Sequence, residues 1–324
     1  MIITRTPFRI SFVGGGSDMR DFYRQSPGIV ISTAINKYMY ITVKRRFEDT
    51  FRISYHKTEI VERIEDIQHP IVREALRLAG IKYGLEITSI GDIPSGTGLG
   101  SSSSFTVGLL NALFALNGKL KSAEELARLA CKIEIDILKE PIGKQDQYIA
   151  AYGGMRRIQF NGDETVFVDT VIYKPDVIKE LKKNLLMFYT GGKRSASPIL
   201  SEQKKNSSNN MSYLEKIRDL TYEFYDCLTN GNDISRVGKI LYKNWKLKKK
   251  LAHNISNSRI DELYQKALNA GALGGKLLGA GGDGFLLFYA EGQHRNRIKK
   301  ALGLRYVPIE FEPEGSKIIY IGGQ

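Results

Sequence analysis

One segment of the chain combines glycines and serines in a spacing suited to binding phosphate. It is PSGTGLGSSSS at 94–104, which follows a strand-like stretch at 84–90 and opens an apolar, helix-like stretch. The first turn of a helix offers unpaired backbone N–H groups and the positive end of the helix dipole, and together these bind anions. Glycines let a phosphate approach the backbone, and serine hydroxyls add donors or a magnesium ligand. Residues 94–104 are therefore predicted to be a phosphate-binding loop, called the phosphate loop below.

Two common nucleotide-binding motifs do not describe this loop. No Lys-Ser or Lys-Thr pair follows its last glycine, so it is not a Walker loop, and its spacing does not fit a dinucleotide fingerprint. A second run, GAGGDG at 279–284, matches the letters G-x-G-x-x-G but precedes the strand-like FLLFYA instead of a helix. We interpret it as a turn between two strands. A capped helix after a flexible turn is the alternative for the phosphate loop.

The 32 glycines of the chain concentrate in three places. These are Gly14-Gly15-Gly16, the stretch from Gly91 to Gly108, and the stretch from Gly271 to Gly284. Glycine is required where the backbone turns sharply or approaches a ligand closely. The three clusters therefore predict loops that converge on one site, with three unrelated turns as the alternative.

The elements that would position these loops are mixed along the chain. Strands are predicted at 3–13, 28–34, 38–46, 84–90, 155–160, 165–170 and 185–190, on both sides of the turn at 279–284, and last near 305–311. Helices are predicted at 69–79, from Ser101 to Asn117, after a capping box of Ser122 and Glu125, around KQDQYIAA, at 211–230, 234–252 and 259–270, and before the last strand. Strands and helices do not alternate strictly, so the predicted fold class is α+β.

The sequence also predicts a helix interruption, a surface loop and a domain boundary. Pro141 is expected to interrupt the helix that begins after Ser122. The segment EQKKNSSNN at 202–210 is polar and unpatterned, which predicts a surface loop. A length of 324 residues fits two modest domains, and we place their boundary near 180, giving domains of 1–180 and 181–324.

Composition excludes several classes of protein. With 42% hydrophobic and 26% charged residues, the chain is not disordered throughout, and no apolar run is long enough to span a bilayer. MIITRTPFRISF lacks the features of a secretory signal. Cys131 and Cys227 are too few to stabilise a chain of this size by disulfides, and with four scattered His they form no zinc-ligand cluster. Reduced thiols and a cytoplasmic location are expected.

The net charge of +13, from 48 basic and 35 acidic residues, raises the question of a nucleic-acid partner. Much of the excess is local, in a stretch that contains Lys239, Lys243, Lys246, Lys248, Lys249 and Lys250 and no acid. Leu241, Trp245 and Leu247 lie between them, so we interpret this stretch as a helix with a solvated basic face above an apolar stripe. No nucleic-acid-binding signature accompanies it, and a basic surface equally attracts phosphorylated metabolites.

Three motifs in this order resemble the GHMP small-molecule kinases, the family of galactokinase, homoserine kinase, mevalonate kinase and phosphomevalonate kinase. They are TPFRISFVGGGSD at 6–18, the phosphate loop, and LLGAGGDGF at 277–285, and they bracket most of the chain. The resemblance implies an N-terminal domain like ribosomal protein S5 that holds the phosphate loop. It also implies a C-terminal ferredoxin-like domain and, between the two, a cleft for ATP, Mg²⁺ and an alcohol.

The resemblance also implies roles for individual residues. Asp146 in KQDQ matches the catalytic aspartate, Arg9 lies near the transferred phosphoryl group, and Ser102 and Glu134 match the magnesium ligands. Phosphoryl transfer to an alcohol needs charge neutralisation and a carboxylate beside the hydroxyl, which these side chains supply. The implied nucleotide-binding residues are Pro94, Gly96, Gly98, Leu99, Gly100, Ser101, Ser102 and Ser103. The alternatives are an exposed helix residue for Glu134, a helix cap for Asp146 and a strand-surface charge for Arg9.

The motifs also bear on which alcohol is phosphorylated. Galactokinase-like sequences carry Glu-His at the position of Gly15-Gly16, which argues against galactose as the substrate. Mevalonate-type kinases use Lys at the position of Arg9, which argues against isoprenoid substrates. GGGSD, KQDQYIAAYGG and TGGKRSAS at 190–197 together look most like the D-glycero-D-manno-heptose 7-phosphate kinases of the family, with L-fucokinase the nearest relative. The implied substrate-binding residues are Gly15, Gly16, Asp18, Lys193, Arg194, Gly281, Gly282 and Asp283.

The expected activity is therefore ATP- and magnesium-dependent phosphorylation of the anomeric hydroxyl of a sugar, giving heptose 1,7-bisphosphate from heptose 7-phosphate. A kinase for an unphosphorylated sugar such as fucose is the first alternative. A sugar-dependent regulator without catalysis is the second, and the presence of Asp146, Ser102 and Glu134 argues against it. A homodimer is left open; no membrane or nucleic-acid partner is expected.

A cationic clamp for the distal phosphate is predicted at Lys193-Arg194, with a pair of unliganded loop charges as the alternative. Arg194→Ala should raise KM for heptose 7-phosphate by roughly ten- to a hundredfold, because a charge-assisted hydrogen bond contributes about 1.5–3 kcal/mol. KM for ATP should barely change. Two Michaelis curves, each with the other substrate saturating, measure both. Normal heptose 7-phosphate binding by the variant would assign the phosphate to another basic residue.

Overall fold

The protein is described here from a computed structural model, which covers residues 1–192, 197–231 and 233–323. Lys193 and Arg194, the predicted clamp, lie outside these residues. The strands are β1 (Ile2–Val13), β2 (Gly28–Arg45), β3 (Phe51–Ser54), β4 (Thr58–Val61), β5 (Leu85–Gly91), β6 (Met155–Phe160), β7 (Val166–Thr170), β8 (Leu185–Tyr189), β9 (Gly274–Leu277), β10 (Phe285–Tyr289), β11 (Arg305–Tyr306) and β12 (Lys317–Ile321). The helices are α1 (Arg20–Tyr23), α2 (Pro70–Ala79), α3 (Ser101–Leu116), α4 (Ala123–Cys131), α5 (Gln145–Tyr152), α6 (Pro175–Asn184), α7 (Ser197–Lys205), α8 (Ser207–Asn230), α9 (Arg236–Lys248), α10 (Ser258–Asn269) and α11 (Arg295–Leu302).

The larger sheet has eight strands around a β1–β2 centre. Its order is β12-β1-β2-β5-β3-β4, with β6 paired to β2 and β7 to β6. β1 and β2 are antiparallel, in a register that places Arg9 opposite Ala34. Helix α3 packs against β1 and β2 and is buried almost all round, as expected of a helix whose residues are mostly apolar on every side. The sheet and α3 thus hold Arg9 and the phosphate loop on rigid elements.

The smaller sheet has four antiparallel strands in the order β11-β8-β10-β9. Helix α9 packs on β9 and β10, and a buried cluster that includes Trp245, Tyr264 and Phe288 fills the space between strands and helices. The last strand, β12, returns to the larger sheet and pairs with β1. The division into 1–180 and 181–324 stays a prediction.

Most of the predicted elements are present, and the α+β class is confirmed. Helices α2, α3, α5, α8, α9 and α10 occur where the patterns placed them, within a few residues. The predicted capping box is formed: the backbone N–H of Glu125 donates to Ser122 Oγ at 3.2 Å, and the Ser122 N–H donates to the Glu125 carboxylate at 2.9 Å. Cys131 and Cys227 are buried free thiols.

The surface loop predicted at 202–210 is wrong, because all of these residues except Asn206 belong to α7 and α8. Their polar side chains have partners that the sequence pattern does not reveal. Asn210 is buried and donates to the Leu251 carbonyl at 2.8 Å, and Glu202 accepts the backbone N–H of His253 at 3.0 Å. A polar stretch that binds neighbouring backbone can be helical without an apolar stripe.

Several other elements differ from prediction. The two strands at 28–34 and 38–46 are the single strand β2, and only Arg305–Tyr306 is a strand near 305–311. Strands β3, β4 and β12 and helices α1 and α6 were not predicted. Helix α4 ends at Cys131, well before Pro141, because a π-helical turn, Lys132–Ile137, replaces the regular helix. Among the described residues, no helix has the length and apolar character needed to cross a membrane.

Candidate active site

A cleft of about 390 Å³ lies where the three glycine clusters meet. Its wall contains glycines of the first cluster, of the phosphate loop and of the turn at 279–284: Gly15, Gly16, Gly96, Gly98, Gly100, Gly279 and Gly281. The predicted convergence of the clusters is confirmed.

The phosphate loop packs directly on the turn at 279–284. A Cβ atom on Gly279 would overlap Gly98, one on Gly98 would overlap the Leu278 carbonyl, and one on Gly284 would overlap the Thr97 carbonyl. Gly98 and Gly279 also have φ angles of +86° and +71°, in the left-handed region that favours glycine. Glycine is needed here because two backbone segments touch.

Arg9 and Asp146 form a two-pronged ion pair inside the cleft. Arg9 Nε donates to Asp146 Oδ1 at 2.7 Å and Nη2 donates to Oδ2 at 2.6 Å, while Nη1 donates to the Gly98 carbonyl at 2.6 Å. The side chains are 6% and 22% exposed. Two parallel charge-assisted bonds fix both groups in position. Arg9 is thus no strand-surface charge, and Asp146 caps no helix.

Asp18 is held by backbone amides of the first glycine cluster and of the start of α5. Its Oδ1 accepts the N–H of Gly16 at 2.8 Å, and its Oδ2 accepts the N–H of Gln145 at 3.2 Å. Burial raises the pKa of Asp18, and the nearby charge of Asp146 adds to the effect. The carboxylate is only 3% exposed and lines the cleft, so it is suited to accept hydrogen bonds from a polyhydroxyl ligand.

Glu134 is turned into the protein by the π-helical turn and is 1% exposed, so the exposed-residue alternative is wrong. Its carboxylate accepts bonds from Ser102 Oγ at 2.8 Å, Ser103 Oγ at 2.9 Å and Gln147 Nε2 at 2.6 Å. Burial raises the pKa of Glu134. Ser102 Oγ and Glu134 Oε1 are as far apart as neighbouring ligands of an octahedral Mg²⁺, about 2.9 Å. This pair of hard oxygen donors fits the ion.

The remaining predicted residues divide between the wall and the surroundings of the cleft. Ser101, Ser102, Ser103, Gly281 and Asp283 line it together with the glycines named above. Pro94, Leu99 and Gly282 lie outside the wall: Pro94 accepts the Thr97 hydroxyl, Leu99 is fully buried, and Gly282 donates to the Ile255 carbonyl. These three shape the loops and do not face the cleft.

Several polar residues of the cleft were missed, among them Ser11, Gln145, Lys248 and Lys276. Ser11 Oγ is buried and has no hydrogen-bond partner in the described part of the protein, and Lys276 interrupts the otherwise apolar stretch GGKLLG, which was an available signal. Lys248 is 9% exposed, so the interpretation of a solvated basic face is wrong for this lysine.

Two family models match the chain. The model "GHMP kinases N terminal domain" matches residues 67–154, and "GHMP kinases C terminal" matches residues 217–308. The chain belongs to the GHMP kinase family. The predicted fold, with its N-terminal and C-terminal GHMP domains, is thereby confirmed. This GHMP kinase is a phosphotransferase, and kinases of the family use ATP as the phosphate donor.

Individual relatives are similar along most of this GHMP kinase. A D-glycero-alpha-D-manno-heptose 7-phosphate kinase of Campylobacter jejuni is 29% identical over 93% of both chains. An L-fucokinase/L-fucose-1-P guanylyltransferase of Bacteroides fragilis is 27% identical over 92% of this chain and 35% of its own length. The crystal structure of a D-glycero-D-manno-heptose 1-phosphate kinase from Bacteroides thetaiotaomicron superposes with a TM-score of 0.82 over the full length of both chains at 23% identity, and shows the fold.

The contact between Gly98 and Gly279 leads to a steric prediction. Gly279→Ala should raise the Kd for a non-hydrolysable ATP analogue by roughly tenfold or more and lower kcat by about a hundredfold, the effect of a displacement near 1 Å. Gly118→Ala is the matched control, because Gly118 has a similar φ of +69° but nothing within 4 Å of an added Cβ. It should cost about 1 kcal/mol of stability from backbone strain alone and leave binding unchanged. Equal effects of both substitutions on binding would contradict the steric role of Gly279.

Proposed function

We propose that this protein transfers the γ-phosphoryl group of ATP to the anomeric hydroxyl of D-glycero-D-manno-heptose 7-phosphate and forms heptose 1,7-bisphosphate. The observation that carries the proposed reaction is the Arg9–Asp146 pair, fixed on the Gly98 carbonyl of the phosphate loop inside the cleft. The choice of sugar is supported by similarity to the heptose 7-phosphate kinase over 93% of both chains.

In this reaction Asp146 orients the attacking hydroxyl and accepts its proton. Each carboxylate oxygen accepts one bond from Arg9 and keeps a lone pair for the sugar hydroxyl. Arg9 contributes positive charge beside the transferred phosphoryl group, where negative charge must be stabilised. Because the pair is fixed before substrate arrives, little reorganisation is needed during transfer.

Other cleft residues bind and position the two substrates. The start of α3, with Gly98, Gly100 and the serines after it, offers backbone N–H groups to the ATP phosphates. Asp18 accepts hydrogen bonds from sugar hydroxyls, and the unpartnered hydroxyl of Ser11 is available to a further one.

Ser102 and Glu134 are the residues that would hold Mg²⁺. The ion, when bound, neutralises charge on the ATP phosphates. Glu134 is kept in place by Ser103 and Gln147, so the carboxylate is already oriented toward Ser102.

Turnover with ATP and a panel of sugars tests the proposed function. The panel contains heptose 7-phosphate, the unphosphorylated heptose, L-fucose and galactose, and kcat/KM is compared among them. The highest value is expected for heptose 7-phosphate. A preference for fucose would establish the fucokinase-like alternative. Sugar binding without turnover of any sugar would establish the alternative of a sugar-dependent regulator without catalysis.

The role of Asp146 predicts a kinetic defect without loss of the fold. Asp146→Asn should lower kcat by roughly 10²–10⁴, the range for a positioned acid–base group, and leave ATP binding intact. Asp169→Asn is the matched control, because Asp169 pairs with Arg157 at 3.0 Å on the β6–β7 surface. Near wild-type turnover by Asp146→Asn would exclude it as the group beside the hydroxyl.

The proposed metal site predicts a changed magnesium requirement. Ser102→Ala should raise the magnesium concentration for half-maximal rate by about tenfold, because one hard oxygen ligand is lost. Ser104→Ala is the control from the same helical turn, since Ser104 Oγ donates to the Pro7 carbonyl instead. Identical magnesium titrations of wild-type protein and Ser102→Ala would reject Ser102 as a ligand.

A further inference from the structure

Lys248, at the end of α9, is a buried lysine on the wall of the cleft. Its ammonium group donates to the carbonyl of Leu277 at 3.3 Å and to that of Gly279. Among the described residues, no carboxylate forms an ion pair with it. A buried lysine is normally paired, because removing a charge from water is costly. A lysine that faces a cleft with only carbonyl partners is therefore suited to an anionic ligand.

The basic side chains around Lys248 also favour an anionic ligand. Arg9 of β1 lines the same cleft and is paired with Asp146 of α5. Lys276 of β9 also lines this cleft. Lys276 donates to the carbonyls of Ser11 and Phe12. This corner of the cleft thus combines three basic side chains with one paired carboxylate. An anion bound here would be stabilised by the protonated forms of the lysines.

The two buried lysines of this corner, Lys248 and Lys276, have different surroundings. Lys276 is 3% exposed, and its two bonds at 2.9 and 3.0 Å join β9 to β1, so it connects the two sheets. Lys248 instead bonds Gly279, whose Cα packs against Gly98 of the phosphate loop. Arg9 bonds the Gly98 carbonyl. Lys248 and Arg9 therefore each bond one of the two glycines that form this contact.

We propose that Lys248 binds the terminal phosphoryl group of ATP together with Arg9, with the ammonium group moving from the Gly279 carbonyl to a phosphate oxygen. This assignment rests on the proposed kinase function and adds a residue to it. The ATP phosphate is favoured over a phosphate of the sugar because the carbonyl partner of Lys248 belongs to the residue in contact with the phosphate loop.

Binding of an anion beside Lys248 should be accompanied by uptake of a proton. Burial and the charge of Arg9 lower the pKa of Lys248 to about 7. Lys276 also faces it. Lys246 of α9 and Lys249, which follows the helix, are exposed, and Lys249 is paired with Asp261. At pH 8 about nine-tenths of the Lys248 amines are neutral, so an anion that raises the pKa makes the protein take up close to one proton.

Isothermal titration calorimetry with Lys248→Met and Lys246→Met tests the proposal. Methionine keeps the length of the side chain without the charge, and Lys246 is an exposed lysine on the same helix. The ligands are a non-hydrolysable ATP analogue, ADP and heptose 7-phosphate, each at saturating magnesium. Titration at pH 8 in two buffers of different ionisation enthalpy gives the number of protons taken up. Thermal unfolding confirms that each variant is folded.

The expected result is a loss of affinity for the ATP analogue of about ten- to a hundredfold in Lys248→Met, with ADP and heptose 7-phosphate unaffected. Proton uptake with the analogue should be close to one in wild-type protein and in Lys246→Met, and absent in Lys248→Met. Unchanged analogue affinity in Lys248→Met would overturn the proposal. Loss of heptose 7-phosphate affinity alone would also overturn it, by assigning Lys248 to the sugar.

These binding results do not depend on turnover, so they distinguish the proposed Lys248 site from the proposed kinase function. A protein that phosphorylates none of the sugars tested, but loses analogue binding and proton uptake in Lys248→Met, retains the Lys248 site without the proposed function. A protein that makes heptose 1,7-bisphosphate with normal analogue binding in Lys248→Met retains the function without the Lys248 site. Proton uptake is measured on wild-type protein, so absence of uptake there contradicts the proposal even if a variant misfolds.

Discussion

The ion pair between Arg9 and Asp146 connects three parts of the chain that are distant in sequence. Arg9 belongs to β1, Asp146 to the first turn of α5, and the third bond of Arg9 goes to the Gly98 carbonyl of the phosphate loop. A largely buried pair of this kind is costly to break, by roughly 3–5 kcal/mol when one partner is removed, because the other charge is left without compensation. The pair therefore fixes the distance between the phosphate loop and the carboxylate.

Close backbone contact between the phosphate loop and the turn at 279–284 is the second constraint. It joins the two sheets beside the Arg9–Asp146 pair. Gly98 and Gly279 approach too closely for any side chain, and Lys276 of β9 bonds carbonyls of β1. The phosphate loop is consequently held between the Arg9 side chain and the turn at 279–284. In the proposed reaction this arrangement positions ATP before the sugar binds, in keeping with catalysis by positioning and electrostatic stabilisation.

The sequence indicated the glycine- and serine-rich segments of this cleft because the motifs are local. The start of α3, the capping box of Ser122 and the glycine turn each depend on neighbouring residues, and each has the local structure that the sequence indicates. The orientation of Glu134 depends on a π-helical turn, which has no simple sequence pattern, and the burial of Lys248 depends on β9 packing against α9. Long-range contacts of this kind also explain the helical 202–210 segment, where polar side chains bind a distant backbone. Local patterns cannot show such partners.

The central claim is that Arg9 and Asp146 act as one unit in phosphoryl transfer. A double-mutant cycle of Arg9→Met, Asp146→Asn and the combined variant, followed by single-turnover kinetics with ATP and heptose 7-phosphate, tests it most directly. If the two groups act together, the double variant should react within about threefold of the slower single variant, because the first substitution already disables the unit. If the two losses multiply in the double variant, Arg9 and Asp146 act independently and the claim is contradicted.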